Sequence, residues 1–195
     1  MARWANLGAK ALLLVLLGVA VAFPDLAGFQ GKGMGARAVA YPVALLVVPA
    51  VWWVRGRRPP YPHVVDLLVA LPFLIDTAGN AADLYDTLTS FDDAAHFVNW
   101  AILVSGFGLV VAASGIARLN AASLAVGFGA VTHILWELVE WVVARVSPAD
   151  LHLTYEDTIG DLALSLAGSF AGGILTGTVL WRHRGAARSL VSARA

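Results

Sequence analysis

The chain has 195 residues, of which 59% are hydrophobic and only 13% are charged, and its mean hydropathy is +0.75. Soluble domains carry about 25% charged residues, so this composition predicts an integral membrane protein. The formal net charge is zero, which argues against a nucleic-acid-binding protein, and the absence of cysteine excludes disulfides, thiolate metal ligands and cysteine nucleophiles.

Six apolar runs predict six membrane-spanning helices. Five of them have about the 17 to 25 residues that a helix needs to cross a bilayer. The third is weaker because it contains Asp66 and Pro72, and it crosses comfortably only if the helix continues to Leu84. The predicted spans cover about residues 7–23, 38–54, 64–84, 97–113, 121–146 and 158–181. We therefore expect an all-α, polytopic helical bundle that forms a single transmembrane domain over residues 1–195.

The first run also resembles a secretory signal, because Ala20, Val21 and Ala22 follow a leucine-rich stretch. We interpret it as a retained first helix, and the later topology is the same under either interpretation.

Basic residues predict the orientation of the bundle. With six spans and cytoplasmic N- and C-termini, three of the 13 basic residues lie outside: Lys32, Arg37 and Arg145. The other ten lie inside, as the positive-inside rule favours. They are Arg3, Lys10, Arg55, Arg57, Arg58, Arg118, Arg182, Arg184, Arg188 and Arg194.

The predicted outer halves of the last four spans carry polar side chains. In the fifth span, His133, Glu137 and Glu140 share one helical face, since residues three, four and seven apart project the same way. The other spans contribute Asp76 and Asn80, Asp93 and His96, and Asp157 and Asp161. An ionisable group near the bilayer centre costs roughly 2.5 to 3.5 kcal/mol on insertion scales, so each is expected to have a partner inside the protein.

These residue types predict a divalent metal site. Helical bundles build two-metal sites from carboxylates and carboxylate-histidine pairs on facing helices. Oxygen and imidazole ligands without thiolate suit Zn, Mn or Fe. We predict Asp93, His96, His133, Glu137 and Asp161 as ligands and Glu140 or Asp157 as a catalytic general base. Asp76, Asn80 and Trp136 are expected to complete the polar site.

Most of these residues also have a structural interpretation. A neutral histidine that is hydrogen-bonded between helices explains His133 about as well as a metal ligand does. Glu140 could be a hydrated interfacial acid paired with Arg145, the one basic residue expected near the acids. Asp93 and Asp157 could simply stabilise helix N-termini.

Small residues dominate the sixth span, in Gly168-x-x-x-Gly172 and Gly173-x-x-x-Gly177. This spacing lets helices approach closely. Homodimerisation through this helix and packing within one chain are both open interpretations.

Three motifs in order resemble the YjdF-like family of small bacterial inner-membrane proteins. They are Phe91-Asp-Asp-Ala-Ala-His-Phe97, Trp136-Glu-Leu-Val-Glu-Trp141 and Asp157-Thr-x-x-Asp161. Tyr85-Asp86 also matches a Tyr-Asp pair in the loop before them. The resemblance covers about residues 64–180, and it implies a multi-pass protein of the bacterial cytoplasmic membrane rather than a particular reaction. His133 has no counterpart in the family pattern. A fainter resemblance is to VanZ-like membrane proteins linked to glycopeptide resistance.

Three functions fit these observations. The first is a metal-dependent hydrolase or transferase that acts on a lipid-linked or amphipathic substrate at the outer leaflet. The second is a proton- or cation-coupled transporter in which His133, Glu137 and Glu140 form the path. The third is a structural or assembly protein, in which the acids form a polar clamp between helices. Each implies membrane lipid as a partner and none implies nucleic acid.

Overall fold

The structure, a computed structural model, describes residues 1–26, 28–57, 60–146 and 153–186. These residues form helices and no strand. The helices are α1 (Ala2–Ala22), α2 (Met34–Leu45), α3 (Val47–Val54), α4 (His63–Ala81), α5 (Leu84–Thr87), α6 (Phe91–Ser114), α7 (Arg118–Val146) and α8 (Tyr155–Leu175), which continues as a π-helical turn (Thr176–Leu180). Arg58, Arg188 and Arg194, which entered the count of basic residues, lie outside the described residues.

Six helical segments in the described ranges are long and apolar enough to cross a membrane, as predicted. They are α1, α2 with α3, α4, α6, α7, and α8 with its π-helical turn. The chain is therefore an all-α, multi-pass membrane protein. The boundaries differ in places: α4 ends at Ala81 instead of Leu84, and α6 begins at Phe91, six residues earlier than predicted. Asp92 and Asp93 fit this early start because acids are favourable in the first turn of a helix.

Proline explains why the second span consists of two helices. Pro49 lies in the first turn of α3, where its missing N–H is tolerated, but its ring conflicts with the carbonyl of Leu45 four residues earlier. Accordingly α2 ends at Leu45 and α3 begins at Val47. Pro72, by contrast, lies inside an uninterrupted α4.

Successive spans are antiparallel, so the ends of α4 and α7 meet the beginnings of α6 and α8. We call this the acidic end of the bundle and the opposite end the basal end. Helix α8 packs against both α6 and α7, α4 packs against α6, and α1 packs against α4.

Glycine allows α8 to approach both neighbours. A Cβ atom on Gly168 would overlap the backbone oxygen of Phe97 in α6, and a Cβ atom on Gly173 would overlap the side chain of Val126 in α7. The glycines of both motifs are thus packed within this chain's own bundle. Homodimerisation through α8 stays a prediction.

A buried ion pair joins α1 to α4 at the basal end. The Nζ atom of Lys10 lies 2.6 Å from both carboxylate oxygens of Asp66, and also donates to the carbonyl of Leu45. Asn6 and Tyr61 each donate a further hydrogen bond to Asp66, at 2.7 Å. Asp66 is therefore held by protein donors from three directions, which offsets the cost of burying its charge.

Candidate metal centre

A cavity of about 350 Å³ lies between α2, α4, α5, α6, α7 and α8 at the acidic end. Its deeper wall is apolar and aromatic. It is formed by residues that lie about one turn or more from the acidic end: Pro72, Phe73, Trp100, Leu103 and Trp136. Its outer wall is polar. The polar lining comprises Lys32, Arg37, Tyr41, Asp76, Asn80, Tyr85, Asp86, Thr89, Asp92, His96, Asn99, Glu140, Asp157 and Asp161.

Asp92, His96 and Asp161 form a group that can hold a metal ion. The Nε2 atom of His96 lies 3.6 Å from Oδ1 of Asp92 and 3.5 Å from Oδ1 of Asp161, and one ligand atom from each residue falls within 4.8 Å of the others. These separations exceed the usual 2.7 to 3.2 Å of a hydrogen bond. Donors at about 2.1 Å from one tetrahedral ion lie about 3.4 Å apart, so the group has the dimensions of a ligand set.

The local sequence explains how this group forms. Asp92 and His96 lie four residues apart on α6 and so share one face. Asp161 on α8 reaches them because Gly168 and Gly172 bring α8 into contact with the backbone of α6. The ring of His96 is oriented by a hydrogen bond of 3.1 Å between Nδ1 and the hydroxyl of Ser165, which leaves Nε2 facing the two carboxylates.

The predicted site residues fall into two groups. Glu140, Asp157, His96, Asp161, Asp76, Asn80 and Trp136 line the cavity. Asp93 is exposed and does not line it; its neighbour Asp92 lies against His96 instead. His133 and Glu137 are buried on the adjacent face of α7 and are also absent from the lining.

His133 and Glu137 lie next to the cavity wall. The ring of His133 meets the ring of Trp100 edge to face, with centroids 5.9 Å apart. Nδ1 of His133 and both carboxylate oxygens of Glu137 are buried without a hydrogen-bond partner among the described residues.

The sequence analysis missed a network centred on Asp76. Nε of Arg37 donates to Asp76 at 3.0 Å, while the hydroxyls of Tyr41 and Tyr85 donate to it at 2.6 and 3.1 Å. Arg37 also donates to the backbone oxygen of Lys32. The expectation that Arg145 is the one basic residue near the acids is therefore wrong. The spacing of Arg37 and Tyr41 on one face of α2 could have indicated the network, but it did not identify the partner.

Two further contacts fix the rim of the cavity. Lys32 forms an ion pair of 2.6 Å with Asp86, which ties the loop before α2 to α5. Burial, reinforced by the carboxylates of Asp76 and Asp92, raises the pKa of Tyr85 well above its ordinary value. The phenol of Tyr85 therefore remains a hydrogen-bond donor at neutral pH.

Fold and site together define a multi-pass helical membrane protein with a carboxylate and histidine group at one end of its bundle. The model of a family of predicted membrane proteins, DUF2238, matches residues 10–182, and the chain belongs to this family. No curated protein and no solved structure matches the chain.

Proposed function

We propose that this protein is a metal-dependent membrane hydrolase or transferase with its reaction centre in the cavity at the acidic end. The observation that carries the proposal is the placement of Asp92, His96 and Asp161, with ligand-like separations, in the wall of a cavity large enough for a substrate group. No hydrogen bond to the carboxylate of Asp92 or Asp161 is present among the described residues, whereas Asp76 and Asp66 each accept several from protein donors.

The chemistry of the three residues fits a divalent ion. Two carboxylates and one imidazole without thiolate suit Zn, Mn or Fe. Ser165 holds the second ring nitrogen of His96, as outer hydrogen bonds commonly do for metal-binding histidines. A divalent ion held there would supply Lewis-acid polarisation of a substrate oxygen.

Residues of the chain would handle protons and position the substrate. Glu140 lines the same cavity, and we assign it the role of general base for the attacking water or hydroxyl. Asp157, on the first turn of α8, is the alternative base. Arg37, held by Asp76 and by the Lys32 carbonyl, would contribute donors that orient a polar substrate group.

The two walls of the cavity support an amphipathic or lipid-linked substrate. Phe73, Trp100 and Trp136 offer an apolar surface about one turn deeper than His96 and Glu140. A substrate of this class would place its hydrocarbon portion there and its reacting bond at the polar wall.

Location and orientation complete the proposal. The resemblance to the YjdF-like family is compatible with membership of DUF2238 and supports the bacterial cytoplasmic membrane. The distribution of basic residues supports an outward-facing acidic end.

The packing of the bundle gives less support to a transport function. The bundle between the cavity and Asp66 is filled by buried apolar side chains, among them Leu13, Leu17, Leu45 and Ala70. The polar groups near Asp66 are joined to one another by hydrogen bonds rather than to the cavity.

The proposal is tested by turnover of chromogenic fatty-acyl esters and alkyl phosphate esters by the detergent-purified full chain. Turnover should be lost with EDTA and return with Zn, Mn or Fe. Glu140→Gln should abolish turnover while retaining metal, and Asp93→Asn, which alters an exposed acid beside the site, should retain both. Turnover that survives complete removal of metal would contradict the proposal.

A further inference from the structure

Unpartnered polar atoms concentrate beside the candidate metal centre. Five buried side-chain N or O atoms of the described residues lack a hydrogen-bond partner, and three of them belong to His133 and Glu137. These residues are only 4% and 8% exposed. A buried acceptor without a donor costs about 1 to 3 kcal/mol, and more if charged. A cation between these atoms would remove that cost.

Helix register places Glu137 beside Asp161. The antiparallel helices α7 and α8 touch where a Cβ atom on Gly129 would meet Ser169. Two turns toward the acidic end from this contact lead to Glu137 on α7 and to Asp161 on α8, because both are eight residues away. The two carboxylates therefore belong to one layer of the bundle.

The same register brings His96 into this layer. His133 lies one turn basal of Glu137, and its ring contacts Trp100, which lies one turn basal of His96. Asp161 is thus adjacent to His96 by direct distance and to Glu137 by register.

Helices α6 and α7 present matching pairs of ligand types. Asp92 lies one turn toward the acidic end from His96, and Glu137 lies one turn toward the acidic end from His133. Although the helices run in opposite directions, both therefore place a carboxylate one turn closer to the acidic end than an imidazole. Asp161 of α8 lies 3.5 Å from His96 of the first pair and, by register, in the same layer as Glu137 of the second. Paired carboxylate and histidine ligands from facing helices are how helical bundles build two-metal sites.

We infer that the protein binds a second divalent ion through His133 and Glu137, and that Asp161 bridges the two ions. The inference rests on the proposed function, since it shares Asp161 with the first ion. It assigns His133 and Glu137, which do not line the cavity, to the inner side of a two-ion centre. Two adjacent ions are suited to clamping both the attacking and the leaving oxygen of a phosphoryl or acyl group.

Manganese loading of the detergent-purified full chain tests this inference. We expect two Mn²⁺ ions per wild-type chain with an electron paramagnetic resonance spectrum of coupled ions. Glu137→Gln and His133→Phe should each retain one ion and lose the coupling. Thr132→Ala is the control on the same helix, since its hydroxyl bonds only to carbonyls of its own preceding turn, and it should retain both ions.

The outcomes separate the two proposals. Two coupled ions in both Glu137→Gln and His133→Phe would overturn the second site. A single uncoupled ion in wild type that is lost in His96→Ala would also overturn the second site, yet leave the proposed function intact. No bound ion in wild type would overturn both. The wild-type spectrum decides between one ion and two even if a variant does not fold.

Discussion

Arg37 in the second span and Asp76 in the third form a largely buried ion pair, with 3.0 Å between Nε and Oδ2. Tyr41 and Tyr85 donate to the same carboxylate. The charge of Asp76 is thus balanced by protein groups, unlike the carboxylates of Asp92 and Asp161. We therefore interpret Asp76 as the structural anchor of the cavity wall and not as a metal ligand.

Breaking this pair should destabilise the fold. Asp76→Asn leaves Arg37 buried without a counter-charge, and removing one partner of a buried pair costs about 3 to 5 kcal/mol. Denaturant unfolding in detergent should show this loss in the free energy of unfolding. Asp25→Asn, at an exposed loop position, should have little effect. Equal stability of the two variants would contradict the anchor role.

The orientation of His96 should depend on Ser165. Ser165→Ala removes the partner of Nδ1, and loss of such an outer hydrogen bond typically weakens metal affinity by about 10- to 100-fold. Ser169→Ala is the matched control, because the hydroxyl of Ser169, one turn further along α8, donates to the backbone carbonyl of Ser165 and not to His96. Competition with a chelator of known affinity measures the metal affinity of both variants. Equal metal affinities would show that Ser165 does not position His96.

The basal ion pair should behave as a coupled unit. Lys10→Met and Asp66→Leu should each lower the free energy of unfolding by about 3 to 5 kcal/mol, because each leaves the other charge buried. The double variant should lose clearly less than the sum of the two. A double-mutant cycle measures this coupling, and strictly additive losses would contradict it.

Close packing of α8 against α6 should make Gly168 intolerant of a methyl group. Gly168→Ala forces a Cβ atom into the backbone of Phe97, and such overpacking costs about 1 to 3 kcal/mol. Gly160→Ala in the same helix meets nothing within 4 Å and should be neutral or stabilising, since alanine favours helix by roughly 0.5 to 1 kcal/mol. Thermal unfolding compares the stability of the two variants. A Gly168→Ala variant as stable as wild type would contradict this packing.

Much of the fold could be predicted because a helix is one of only two structures that satisfy every backbone hydrogen bond in a bilayer. Apolar length therefore identified six spans, including the one that contains Asp66 and Pro72. Hydropathy could not place the polar ends of the helices, since Asp92 and Asp93 lower it although they belong to the first turn of α6.

The site was predicted only in outline. Helical periodicity grouped His133 with Glu137, but it could not decide which face of α6 meets α8, so it selected Asp93 where the structure places Asp92 against His96. It also counted Arg37 as a loop charge, because pairing with Asp76 depends on how two separate spans pack. Contacts between helices are not encoded in the periodicity of either one.

The central claim is that Asp92, His96 and Asp161 hold a metal ion. Elemental analysis of the detergent-purified protein after loading with Zn, Mn or Fe tests it most directly, with wild type compared to His96→Ala and Asp93→Asn. We predict bound metal in wild type and in Asp93→Asn, and a marked loss in His96→Ala. The same metal content in all three proteins, or none in wild type, would contradict the account.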